Sequence, residues 1–168
     1  MSDRRSALLA LPLALTACAG ARLDGNVYRD GPVRFRVGDV PAAWRRIDAE
    51  GARLAFRDDA SGATVLVNAR CGADAVDAPL AALTAHLFLM FTERTLGEQV
   101  LVPMDGREAL HTVATAKLDG VPRGFDAYVL KKDGCVYDLV RIGPAAEPAA
   151  ARAPFRAFVA GFGALGDP

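Results

Sequence analysis

DGREALHTVATAKLDGVPRGFDAYVLKKDGCVYDLVRI, residues 105–142, is the stretch whose reading decides the fold. It is punctuated by Asp105-Gly106, Asp119-Gly120 and Asp133-Gly134, each followed by an alternating or apolar run. Asp-Gly readily takes the positive backbone angles that two-residue hairpin turns demand, so the spacing predicts an antiparallel meander with strands near 107–118, 125–130 and 135–142. A weaker strand precedes it over 99–104.

Working outward toward the N-terminus, the pattern predicts a helix over 77–96. Asp77 caps it, Pro79 sits in its first turn and Gly97 stops it. Leu80, Leu83, Thr84, Leu87 and Phe91 fall in one arc at 100° per residue, the stripe with which a helix covers a sheet. Phe88 and Leu89 project away from that arc. They either fill a second contact within the chain or form an exposed docking site for a partner. Further upstream, Val33, Phe35 and Val37 share one face of a strand within 27–37, and Gly38-Asp39-Val40-Pro41 then turns the chain. Trp44 and Ile47 anchor the next segment. Strands over 52–57 and 63–70 are joined by the turn Asp58-Asp59-Ala60-Ser61-Gly62. Val65-Leu66-Val67 lacks alternation, which predicts a central strand covered on both faces. Toward the C-terminus, Phe155, Phe158, Val159, Phe162 and Leu165 take helical spacing from a start near Pro154. The order is α+β: an antiparallel sheet of about six or seven strands covered by two helices, in one domain over 27–166.

Composition fits one ordinary folded domain and excludes two classes of function. The 168 residues are 52% apolar and 24% charged, too rich in core-forming side chains for a disordered chain. Basic and acidic residues balance at 20 each, so no global field attracts a nucleic-acid backbone.

The N-terminus has the arrangement of an export signal. Arg4 and Arg5 precede an apolar run from Ala7 to Ala17 that is far too short to span a bilayer. It closes on Leu15-Thr16-Ala17-Cys18, which resembles the lipobox of bacterial lipoproteins. That resemblance implies a signal peptide over 1–17, lipidation of the Cys18 sulfur, cleavage before Cys18 and a short lipidated tether over 18–26. Two or three acyl chains hold a protein on a membrane where one does not. An aspartate after the lipidated cysteine retains such proteins at the inner membrane; here the residue is Ala19, so the resemblance implies the outer membrane, facing the periplasm. Once Cys18 is consumed, Cys71 and Cys135 remain as an even pair in an oxidising compartment, for which a disulfide is the default. The rivals are metal binding by Cys71, His86, His111 and Cys135, which lack the close paired spacing of zinc sites, and a free catalytic thiol without a partner motif.

The run Phe35-Arg36-Val37 to Pro41-Ala42-Ala43-Trp44, the strand Val136-Tyr137-Asp138-Leu139 and the closing Phe155-x-x-Phe158-Val159-x-x-Phe162 segment together resemble the PsbP/Mog1-like superfamily. The resemblance covers nearly the whole chain after the tether. It implies an α/β/α sandwich and a binding or assembly accessory in place of an enzyme, with no shared site residue to carry over.

Residues for chemistry are sparse. Ser61 sits in a turn, and His86 and His111 stand in no recognised triad order. The glycine pairs lack phosphate-loop spacing, and nothing calls for a cofactor or metal. Asp138 is the carboxylate to watch, because it interrupts Val136, Val140 and Ile142 on one strand face, within reach of Arg70 or Arg141. It is either a salt-paired structural group or a catalytic one. Two functions fit: a non-catalytic envelope lipoprotein that binds another protein, or a small-ligand carrier or weak hydrolase with a pocket between sheet and helix.

Overall fold

The computed structural model describes residues 20–166. Two antiparallel sheets share one core. The smaller comprises β1 (Arg22–Asp24), β2 (Val27–Asp30), β3 (Val33–Arg36) and β11 (Gly163–Ala164) in that spatial order. The larger comprises β4 (Trp44–Ile47), β5 (Leu54–Asp58), β6 (Ala63–Cys71), β7 (Thr92–Met104), β8 (Arg107–Leu118), β9 (Val121–Lys132) and β10 (Cys135–Pro144), ordered β4-β5-β6-β10-β9-β8-β7. Two short helices, α1 (Leu80–Leu87) and α2 (Ala153–Ala160), complete the α+β fold.

The three Asp-Gly pairs make the meander. Asp105, Asp119 and Asp133 have φ of 48°, 51° and 50°, and each is followed by a glycine with positive φ. Two successive residues at positive φ are the signature of the hairpin turn whose twist matches its strands. The strands between them stay in uninterrupted register along β8, β9 and β10.

Strand alternation sends the two faces of the large sheet to different partners. Val65, Val67, Leu130, Tyr137 and Leu139 point at the small sheet and α2, where Phe35 stacks on Tyr28 and Phe162, and Phe158 packs on Trp44 and Phe56. The opposite face meets α1: Leu83 packs on Val129 and Val136, while Phe88 packs on Phe125, Ala114 and Ala127.

Four expectations need correction. The helix over 77–96 is only Leu80–Leu87, and Thr92 already begins β7, a strand of 13 residues that replaces the weak one over 99–104. The free edge of β8 supplies a hydrogen-bonding partner along this segment, and that pairing overrides the helical spacing. Gly97 therefore stops no helix; it lies in a strand where a Cβ would come within 3.0 Å of the Val113 carbonyl oxygen. The second helix ends at Ala160, because Gly161 lies against Gly38 so closely that a Cβ would sit 2.3 Å from the Gly38 Cα. Phe162 and Leu165 lie beyond it, yet Phe162 remains buried. Of the segment 18–26 expected as a tether, Arg22–Asp24 form β1 of the domain, where Leu23 pairs with Tyr28 of β2 and packs on the core. Finally, Leu66 is only half-buried, because α1 lies over β8 and β9 and leaves β6 partly uncovered on that side.

Candidate functional site

Cys18 and the segment 1–17 lie outside the described residues. Cys71 and Cys135 are directly opposite one another on β6 and β10 and are joined by a disulfide, with Cα atoms 4.1 Å apart. The Gly72 amide donates to the Gly134 carbonyl just beyond them, which makes the cysteines a non-hydrogen-bonded pair, the closer of the two antiparallel spacings. The bond removes both thiols from the metal and nucleophile alternatives. Among the described residues, no group of three or more His, Cys, Asp or Glu is placed to hold a metal ion.

Phe88 and Leu89 part company. Phe88 is 2% exposed, edge-on to Phe125 with ring centroids 5.4 Å apart, so the expectation that it belongs to an exposed docking site is corrected. It leaves that role because the helix ends one residue earlier and the chain turns it back onto the sheet. Leu89 is 58% exposed and Met90 89%. Leu96 and Leu101 of β7 are also exposed, on the face of the sheet that carries α1, given their pairing with Ala114 and Leu110. The result is an apolar margin where the helix end meets the last strand. β7 pairs only with β8, and Glu93, Arg94, Glu98, Pro103 and two register shifts break up its outer edge. Such features keep exposed strand edges from indiscriminate pairing.

Two buried polar clusters flank the meander on opposite faces. On the α1 face, Asp138 is 2% exposed, with Arg70 Nη1 2.7 Å from Oδ2. That approach is off the N–H axis, and among the described residues neither carboxylate oxygen has an aligned donor. Burial pushes the Asp138 carboxyl above the ordinary carboxylate range, against the opposing pull of Arg70 and, more weakly, His86. On the α2 face, His111 Nε2 lies 2.6 Å from Asp126 Oδ1, and its ring stacks on Tyr128, its cross-strand neighbour, at 4.3 Å. Burial and the charge of Asp126 raise the Tyr128 hydroxyl. Arg156 stands 3.9 Å from Asp126 Oδ2, and Arg141 makes a paired contact to Glu147, which Arg152 also reaches. Sequence reasoning singled out Asp138 with Arg70 or Arg141 as its neighbour, of which Arg70 is beside it and Arg141 pairs with Glu147 on the other face, but it missed the contact between His111 and Asp126. The available signal was one acidic residue inside the apolar strand run Phe125-Asp126-Ala127-Tyr128.

The His111 ring beside Asp126 faces Tyr128 and not a serine or cysteine. Ser61 donates to Asp58 in a turn, and His86 is exposed on α1. A cavity of about 260 Å³ between the sheet and α2 is lined by Val102, Met104, Tyr128, Arg156, Val159 and Phe162 among others.

The arrangement of sheets and helices matches solved structures. The cyanobacterial PsbP protein CyanoP of a Synechocystis species superposes with a TM-score of 0.60 at 14% identity, over 90% of this chain and 99% of that one. The fold is PsbP-like. LpqN, involved in cell envelope biogenesis in Mycobacterium tuberculosis, matches with a TM-score of 0.55 at 12% identity, over 79% of this chain and 84% of that one. A protein of Bacteroides thetaiotaomicron matches with a TM-score of 0.56 at 14% identity over 79% of this chain, which spans 46% of that protein's length. No family model and no curated protein matches the sequence. The PsbP-like likeness covers the predicted antiparallel sheet and its two helices.

Proposed function

We propose that this protein is a bacterial envelope lipoprotein, held on the outer membrane through lipidated Cys18, whose PsbP-like domain binds another envelope protein without catalysing a reaction. The observation that carries the binding role is the apolar margin of Leu89, Met90, Leu96 and Leu101, exposed beside a helix whose leucines pack on the sheet. Clustered exposed apolar side chains mark protein contacts more often than isolated ones do. The Cys71–Cys135 disulfide supports export, since such bonds persist in oxidising compartments. No described helix is long and apolar enough to cross a membrane, so membrane attachment in this reading rests on the lipid.

A second reading, a small-ligand carrier, is favoured by the cavity between sheet and α2, where Arg156, Tyr128 and Asp105 line the wall with Val102, Met104, Val159 and Phe162. In-cell crosslinking from a photoreactive residue placed at Met90 tests the first. A defined adduct that Leu89→Glu reduces and that Cys18→Ser removes together with acyl labelling supports it. Persistent acyl labelling in Cys18→Ser, or an adduct indifferent to Leu89→Glu, refutes the anchoring or the docking face respectively.

A further inference from the structure

The small sheet turns one face to the core and the other away from it. Leu23, Tyr28, Val33 and Phe35 take the inner side, so strand alternation sends Arg22 of β1, Arg29 of β2 and Arg34 of β3 to the outer side. The register sets the three in one row across the sheet: Arg22 is opposite Arg29, and Arg29 is opposite Arg34. Arg22 is exposed, and the other two are half-buried. Like charges directly opposite one another weaken a sheet. Among the described residues no carboxylate forms an ion pair with any of the three. Asp24, the acidic residue at an outward position of these strands, lies opposite Val27, and Asp30 is taken by Arg53. Arg36 extends the positive face along β3. A chain without net charge thus gathers positive charge on one sheet face.

We propose that this arginine row docks on the phosphate groups of an anionic phospholipid surface, the one that holds the lipid on Cys18. The inference rests on the lipoprotein reading above and adds to it which face of the domain meets the membrane. Charge complementarity selects the occupant: guanidinium groups pair with phosphate oxygens in a two-pronged geometry, and a row of them on a sheet face meets a plane of phosphates. Chain length agrees. The four residues from Cys18 to Arg22 extend at most about 14 Å, so acylation of Cys18 holds the first arginine within that reach of the headgroups. The acyl chains supply attachment, and the row sets orientation.

The test is sedimentation of the purified full-length Cys18→Ser chain with vesicles of phosphatidylcholine alone or of phosphatidylcholine mixed with phosphatidylglycerol. Segment 1–17, with Arg4 and Arg5, is common to every variant, so the difference between variants is the readout. Joint replacement Arg22→Gln, Arg29→Gln and Arg34→Gln should reduce partition onto the anionic mixture on the order of a hundredfold at low salt, from roughly fivefold per arginine. Partition onto phosphatidylcholine should not change, and the urea midpoint should hold or rise as the like-charge row is removed. Arg22→Gln alone, at an exposed position of the edge strand, should cost about fivefold even if the triple variant unfolds. Removing equal charge from exposed positions elsewhere, with Arg45→Gln, Arg46→Gln and Arg107→Gln, should leave the lipid preference nearly unchanged. Equal partition of the two triple variants, or of Arg22→Gln and its parent, overturns the proposal. So does loss of an envelope-protein crosslink in the arginine variant with lipid preference intact, which assigns the row to a protein. Acyl labelling tests anchoring separately, since this partition is measured without the lipid.

Discussion

Phe88 and Leu89 are adjacent in sequence and should respond oppositely to substitution. Phe88 is 2% exposed, its ring set edge-on against Phe125 and tilted against Phe91 at centroid distances of 5.4 and 6.3 Å. Truncating a buried phenylalanine to alanine costs about 3–5 kcal/mol, and each aromatic pair is worth roughly 0.5–1.5 kcal/mol within that total. Half-buried Leu87 and Phe91 border the space that would open and can relax into it, which places Phe88→Ala near the lower end, at about 3 kcal/mol. Leu89→Glu replaces a side chain that is already 58% exposed and should change stability by no more than about 0.5 kcal/mol. Urea unfolding monitored by far-UV circular dichroism, checked with the fluorescence of buried Trp44, measures both. With a slope of about 2 kcal/mol per molar urea, Phe88→Ala moves the midpoint down by about 1.5 M and Leu89→Glu by less than about 0.3 M. A helix continuing to Leu96 would project both residues away from the sheet and make both changes mild. Equal midpoints, or a Leu89→Glu variant that loses more than Phe88→Ala, would refute the chain path after Leu87.

The paired change Cys71→Ser and Cys135→Ser opens a loop spanning 64 residues and should lower the unfolding free energy by up to about 4 kcal/mol. Two free thiols in the oxidised native protein, or an unchanged midpoint, would contradict the bridge. Acid titration of stability should separate Asp138 from Asp58. Burial raises Asp138, so its ionised form opposes folding: stability of the wild type falls relative to Asp138→Asn as pH rises from about the free carboxylate value of 3.8 through the raised pKa. Burial works against Asp58 as well, but hydrogen bonds from the Ser61 hydroxyl and the Ser61 and Ala60 amides outweigh it and lower its pKa. Its stabilisation, referred to Asp58→Asn, is therefore present above about 3.8 and fades as pH falls through the lowered value. Parallel profiles for the two variants would contradict both environments.

The features legible in the sequence are those enforced locally. Asp105, Asp119 and Asp133 with their glycines announce hairpins through backbone chemistry alone, and alternation puts Val33, Phe35 and Val37 on one buried face. What escaped depends on neighbours distant in the chain. The segment after Leu87 has helical spacing until β8 offers it an edge, and the approach of Gly161 to Gly38 is invisible until both ends of the domain are placed. The polar clusters show the same division. Both are diagonal contacts between adjacent strands: Arg70 lies beyond Asn68, the cross-strand partner of Asp138, and Asp126 lies beyond Tyr128, the partner of His111. A bridge between Cys71 and Cys135 brings the ends of β6 and β10 together, so Arg70 falls near Asp138 by counting from the cysteines. No such bond ties β8 to β9, and β9 begins at Val121, ahead of the 125 expected, so the count that sets His111 beside Asp126 starts from the wrong place. A diagonal neighbour is known only once register is known.

The small sheet joins strands from opposite ends of the domain: Phe35 of β3 pairs with Ala164 of β11, and the Gly38 amide donates to the Phe158 carbonyl. During synthesis or passage through a membrane, Phe35 precedes by more than a hundred residues Phe162, the ring that stacks on it. The first hairpin keeps part of its apolar face uncovered until the segment through Phe162 has been delivered. Closure over such sequence distance is slow compared with formation of the local hairpins of the meander. The interval between emergence and closure is when a holding chaperone or a protease would encounter this chain, and loss of α2 and β11 would make that interval permanent.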